Sequence, residues 1–125
     1  AHFALGQALA PLREEGVLIV ATGSITHNFG WLEWQATGDP TPVPQAKDFA
    51  DWVAARVAAQ DVAALLDYRS APHGSASHPT EEHFLPFFVA LGAAGGDWPT
   101  RHQPPFTYGG LAMDAYVWRD PTEAH

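Results

Sequence analysis

The chain contains no cysteine, which excludes disulfides, thiolate metal sites and cysteine nucleophiles together. Basic residues are scarce. Six Lys and Arg stand against fourteen Asp and Glu, a formal net charge of −8 that argues against nucleic acid or an anionic membrane as a partner. No window approaches the ~18 uncharged apolar residues of a membrane span. The opening Ala1-His2-Phe3-Ala4-Leu5 has neither a basic region nor a long apolar run, so it does not read as a signal peptide. Nor does it carry an initiator Met, and the expectation is a fragment of a longer protein, with the cytoplasm as the default compartment.

What is present is apolar and aromatic. Hydrophobic residues make up 46% of the 125, with five Trp, seven Phe and three Tyr, while charged residues make up 16%. The length suits one modest domain and the composition a globular one. The aromatics suit a core, or equally a surface that another half or subunit covers.

Residues 2–15 read as a helix, with Phe3, Leu5, Leu9 and Leu12 near one face, Pro11 as a kink and Gly16 as the stop. The run Val17-Leu18-Ile19-Val20-Ala21 shows no polar alternation, which predicts a central strand buried on both faces of an α/β sheet. It leads into Thr22-Gly23-Ser24 and then His27-Asn28. Ligands of open α/β sheets gather at such strand ends. Residues 34–44 read as a loop. A helix over about 46–66, broken near Gln60-Asp61, comes next, then a second loop over 70–79. Thr80 is the expected N-cap of an apolar helix through Phe84, Leu85, Phe87, Phe88, Val89 and Leu91, buried because it has no polar face. Residues 98–105 read as a loop, and 106–118 as a strand pair or one bent strand turning at Gly109-Gly110.

Seven histidines carry most of the candidate chemistry, yet there is no HExxH, no i, i+4 His pair, no P-loop and no GxSxG elbow. His27 at a strand end reads either as a reactive imidazole or as a loop histidine that caps the strand. His83, expected in the first turn of the apolar helix, must be satisfied by a metal or by a backbone carbonyl. His78, held extended by Pro79, reads as a surface residue or as a neighbour of His83. His2, His73, His102 and His125 read as surface residues.

Three segments share a pattern. Arg13-Glu14-Glu15-Gly16 through the run to Gly23-Ser24-Ile25-Thr26-His27-Asn28 is the first. His78-Pro79-Thr80-Glu81-Glu82-His83-Phe84-Leu85-Pro86 with Leu91-Gly92-Ala93-Ala94 is the second, and Tyr108-Gly109-Gly110-Leu111-Ala112-Met113 is the third. In order and spacing they resemble the C-terminal half of class III extradiol ring-cleavage dioxygenases, in the DOPA-dioxygenase-like branch. The resemblance implies an α/β fold with a mixed central sheet flanked by helices, of which residues 1–125 would be the C-terminal part of the single catalytic domain.

It further implies ring opening of a catecholic substrate with O2 at non-haem Fe(II), zinc being accepted by the same ligands. His83 would be a metal ligand and His27 the acid/base that takes the second phenolic proton. His78 and Tyr108 would touch substrate. The family's other two ligands come from a Gly-His-Gly-Ser-type and a Ser-x-His-type strand end, and neither occurs here. His73-Gly74-Ser75 matches the first in letters but lies on the wrong side of the family order. The chain is therefore expected to need the missing N-terminal half or a partner chain to complete the metal site, and to be inactive alone. A non-catalytic remnant or partner subunit, and a zinc hydrolase in which His78 and His83 ligate together, are the other readings.

Overall fold

The computed structural model describes residues 1–35 and 40–119. Helix α1 (His2–Leu9) runs into a 3-10 turn (Ala10–Glu15), which begins where Pro11 removes an amide from the α-helical ladder. Gly16 then closes it in the left-handed region at φ 80°, as its position demands. Helix α2 (Pro44–Ala58) and α3 (Val62–Leu66) are the two halves of the expected broken helix. The break has a definite cause: Asp61 accepts a hydrogen bond from the Ala64 amide at 3.1 Å and so starts a new helix.

The second expected loop contains more structure than its Ser, Gly and Pro content predicts. A 3-10 turn (Tyr68–Ser70) and the single-turn α4 (Gly74–Ser77) occupy it. Helix α5 (Leu85–Ala93) starts later than expected. Thr80 is not its cap; the hydroxyl bonds the Glu82 carboxylate instead, at 2.8 Å. Pro86 decides the start, because a proline is tolerated in the first turn, where its missing amide would have had no partner anyway. His83 consequently sits ahead of the helix and not in its first turn.

α5 crosses α1 at glycines. A Cβ on Gly6 would collide with the Val89 carbonyl, and one on Gly92 with the Phe3 carbonyl, so the two backbones touch where they cross. Arg13 locks the far end of α5, donating to the carbonyls of Ala93 (3.2 Å) and Ala94 (3.0 Å) while pairing with Asp97 at 3.2 Å. The core lies between α2, α3 and α5. Phe49, Val53, Leu65, Tyr68, Phe84 and Phe88 fill it, their rings meeting mostly edge to face.

The strands β1 (Thr100–His102) and β2 (Ala115–Val117) pair antiparallel, with Arg101 opposite Tyr116. β1 falls in the stretch expected to be a loop. Three residues are too short a run for periodicity to reveal, but Arg101 fixes it: its Nε donates to the buried Asp114 carboxylate at 2.8 Å, and its guanidinium pairs with the same carboxylate at 2.6 Å. The final segment turns at residues 108–110, as expected, inside a bridge between Thr107 and Leu111.

Residues 17–21 depart most from expectation. They pair with no strand among the described residues, and Leu18 and Val20 stand 84% and 69% exposed. A buried central strand needs neighbours on both edges, and within the described residues it has none. Of the loop expected at 34–44, residues 36–39 lie outside the described residues, as does His125. No helix among the described residues is long and apolar enough to cross a membrane.

The glycine crossing is testable. Gly92→Ala forces α1 away from α5 and is expected to cost about 1–3 kcal/mol, read as a lower urea midpoint by far-UV circular dichroism with an unchanged slope. An unaltered midpoint would show that the backbones do not touch.

Candidate active site

The chain just beyond residues 17–21 is firmly held. Ser24 N–H donates to the His83 carbonyl (3.0 Å), Ile25 N–H to the Ala112 carbonyl (3.0 Å) and His27 N–H to the Ser77 carbonyl (2.8 Å). The buried Thr26 hydroxyl donates to Gly110 and accepts from the Ala112 amide, both at 2.8 Å. Asn28 reaches the Ala76 carbonyl with its amide nitrogen (2.7 Å), and its side-chain oxygen accepts from the Gly30 amide (2.8 Å), capping a short 3-10 turn (Phe29–Trp31). Gly23 is required by the same packing: any Cβ there would run into the His83 carbonyl oxygen. The three sequence segments thus meet at residues 24–28.

That meeting places His27 and His83 face to face, ring centroids 3.6 Å apart and planes within 4° of parallel. Both rings are partly open to solvent, His83 with 37% of its side chain exposed and Glu82 at 3.8 Å from its Nε2. Burial, and next the neighbouring His83 ring, lower the pKa of His27 below the usual 6.5. The shift favours the uncharged ring. An imidazole lone pair lies in the plane of its ring. With the planes parallel and stacked, an ion in the plane of one ring is out of the plane of the other. The two histidines cannot both ligate one ion in this arrangement, which suits one ligand and one acid/base.

His78 departs from expectation. It is fully buried rather than at the surface or lining a cleft. Its ring lies on Phe84 (4.7 Å, 15°), and Nε2 donates to the Ile25 carbonyl at 2.6 Å. So held, it has no route to a substrate, and its Nε2 is engaged and not available to a metal shared with His83. What it does is tie the strand end beneath His27 to the segment that carries His83. Burial, first, and the nearby His27 and His83 rings push its pKa down to about 4, because Nδ1 has no partner for a proton.

Tyr108 is 40% exposed, with a left-handed backbone at φ 50°. It stands at the far end of an aromatic row that sequence reasoning missed. His27 meets Phe29 at 4.8 Å, Phe29 meets Trp34 at 5.9 Å, and Trp34 meets Tyr108 at 5.0 Å. Phe29 and Trp34 are each 59% exposed, too open for core residues. The sequence signal was there, an aromatic cluster directly after His27-Asn28, but nothing in it showed that the rings line up.

Among the described residues, no three His, Cys, Asp or Glu side chains converge as a metal site would need. The donor type at His83 suits a divalent metal. The number does not, since one imidazole with a carboxylate nearby is an incomplete set.

Comparison with known proteins decides the lineage. The family described as the catalytic LigB subunit of aromatic ring-opening dioxygenase matches residues 1–116. The chain belongs to the LigB family. It is 39% identical over 101 residues to the 4,5-DOPA dioxygenase extradiol of Escherichia coli, covering 78% of this chain and 36% of that protein. It is 40% identical over 95 residues to the protein of the same name from Beta vulgaris, covering 75% and 34%. The crystal structure of an uncharacterized Escherichia coli protein superposes with a TM-score of 0.80 at 36% identity, over 90% of this chain and 47% of that one. The expected α/β class and the family resemblance are thereby borne out, and a fragment of the family's catalytic domain is consistent with the match. The chain spans about a third of the length of the curated relatives it matches.

The burial of His78 has a pH signature. In the unfolded chain its pKa is near 6.5, and in the folded chain about 4, so the unfolded state binds more protons between those values. Its stabilising contribution is complete above pH 6.5 and is lost as pH falls toward 4. The stability advantage of wild type over His78→Gln, measured by urea denaturation, is expected to shrink by about 2–3 kcal/mol between pH 7 and pH 4.5. A gap that stays constant would show that His78 is not held neutral.

Proposed function

We propose that residues 1–125 are the C-terminal part of an extradiol dioxygenase domain that opens a catecholic, DOPA-like ring with O2. His83 is one ligand of a non-haem divalent metal, Fe(II) with zinc as the alternative occupant, and His27 is the acid/base beside it. The observation that carries the reading is the parallel stacking of these two rings. It keeps a base within reach of whatever His83 binds while preventing that base from becoming a ligand. Family membership and the names of the relatives support the same reaction class.

When bound, the metal would bring catecholate and O2 onto one centre and let charge pass between them. The chain's own residues then do the rest. His27, neutral because of burial and of His83, accepts a phenolic proton and returns it later in the cycle. Its main-chain bond to Ser77 and the Asn28 bonds fix the direction from which it approaches. Phe29, next along, offers a planar apolar face for the substrate ring, and Tyr108 closes the row. The remaining metal ligands come from outside these residues, from an N-terminal half or a partner chain, and the chain alone is inactive. The second reading, a non-catalytic subunit that folds against another chain, draws on the exposed apolar run at residues 17–21.

The test is metal-dependent O2 consumption with DOPA and simple catechols, using the product of the complete natural reading frame. His27→Ala and His83→Ala should each lower turnover by at least about a hundredfold, with metal content lost only in His83→Ala. Full metal content in His83→Ala together with no activity in wild type would overturn the assignment and favour the non-catalytic subunit. Phe29→Ala, by contrast, should raise KM several-fold and leave metal content intact. An unchanged KM would remove the aromatic row from the substrate site.

A further inference from the structure

The aromatic row that starts at His27 is longer than one substrate ring can use. A catechol lying on Phe29 covers that ring alone. Trp34, 5.9 Å from Phe29, and Tyr108, 5.0 Å from Trp34, stand beyond its edge. Neither pair is stacked flat. The planes cross at 63° and 44°, so each ring keeps a face that its neighbour does not cover, and both Trp34 and Tyr108 are open to solvent. Tryptophan and tyrosine suit such a place, because each has an apolar body to bury and a polar tip that stays wet.

The two rings are brought together at a cost. Tyr108 has φ 50°, a left-handed conformation that a bulky residue adopts only where its surroundings impose it. Those surroundings are main chain. Glu33 N–H donates to the Tyr108 carbonyl at 2.9 Å, Val43 N–H to the Gly109 carbonyl at 2.7 Å, and Gly110 N–H to the Thr107 carbonyl at 3.3 Å. A Cβ on Gly110 would meet the Trp31 carbonyl, and one on Gly109 the Thr41 carbonyl, so the turn abuts the chain on both sides of Trp34. Neither residues 27–34 nor residues 106–113 include a Lys or Arg, so these segments offer ring faces and no counter-charge for an anionic substituent.

We propose that Trp34 and Tyr108 form a second aryl subsite, which takes a planar apolar substituent of the catechol and makes a two-ring catechol the preferred substrate class. The subsite rests on the proposed roles of His27 and His83, but binding reads it apart from ring opening. It is continuous with the ring that meets the acid/base. A substituent therefore arrives tethered to a catechol already bound, and little further freedom is lost in placing it.

Anaerobic binding of catechol and of 4-phenylcatechol to the metal-loaded product of the complete natural reading frame tests it, read by calorimetry. Wild type should bind 4-phenylcatechol at least about tenfold more tightly than catechol. Trp34→Ala and Tyr108→Asn should each cut that ratio about threefold, and the double variant should bring it close to unity. Asn keeps the left-handed backbone while removing the ring. Trp34→Phe retains a flat face and should keep most of the preference. Equal affinities in wild type would overturn the proposal, and so would a preference that survives the double variant. Binding of neither compound would overturn it together with the proposed function. The expected preference without ring opening once O2 is admitted would uphold the subsite and defeat only the chemistry. Ring opening of catechol with no preference would do the reverse.

Discussion

Everything near the two histidines depends on one buried hydroxyl and the main chain on either side of it. Thr26 gives its proton to Gly110 and takes one from Ala112, so a single side chain satisfies two backbone groups of the closing segment. The amides of Ser24, Ile25 and His27 reach three different parts of the chain. A buried polar group left without a partner costs about 1–3 kcal/mol, so these bonds form together or not at all. They make a local arrangement that is stiff where the chemistry lies, even though the same backbone is free a few residues earlier.

Stiffness matters because the stacked pair is not a comfortable one. Two imidazoles at 3.6 Å cannot both be charged without strong repulsion, and each excludes water from the face of the other. What holds them is not attraction between the rings but the bonds beneath them: Ser77 to the His27 amide, the His83 carbonyl to the Ser24 amide, and His78 to Ile25. Gly23 permits the approach by having no Cβ. The electrostatic consequence, a lowered pKa at His27, follows from a backbone constraint.

Several local features of the fold were legible from residue types alone. The Gly16 stop, the Pro11 kink, the helix break at Gln60-Asp61 and the turn at residues 108–110 each follow from the chemistry of one or two residues, and the structure has them all. His27 and His83 were singled out from position and motif, and the structure brings them together. The misreadings share a different origin. Whether Thr80 caps a helix depends on Pro86 six residues later; whether His78 is exposed depends on Phe84, Phe49 and Tyr68 closing around it. β1 exists because Asp114, from a distant segment, holds Arg101. Local sequence carries no record of such partners. The aromatic row was missed for the same reason, since Tyr108 lies far along the chain from Phe29 and Trp34.

The run at residues 17–21 is instructive because the sequence describes it better than the isolated chain does. Its β-branched, unalternating composition is that of a strand with apolar layers on both faces, and composition of that kind reflects the surroundings a segment was selected for. Among the described residues no such layers cover Leu18 and Val20, and the composition remains. The boundary between the free and the fixed portions falls at Ser24, just before the residues that position His27. The chain therefore holds its own imidazoles in place without help, through bonds it makes entirely to itself. What it leaves open is the part of the strand that carries no chemistry. The geometry of the histidine pair is therefore independent of whatever packs on residues 17–21, because every bond that holds it lies outside that stretch.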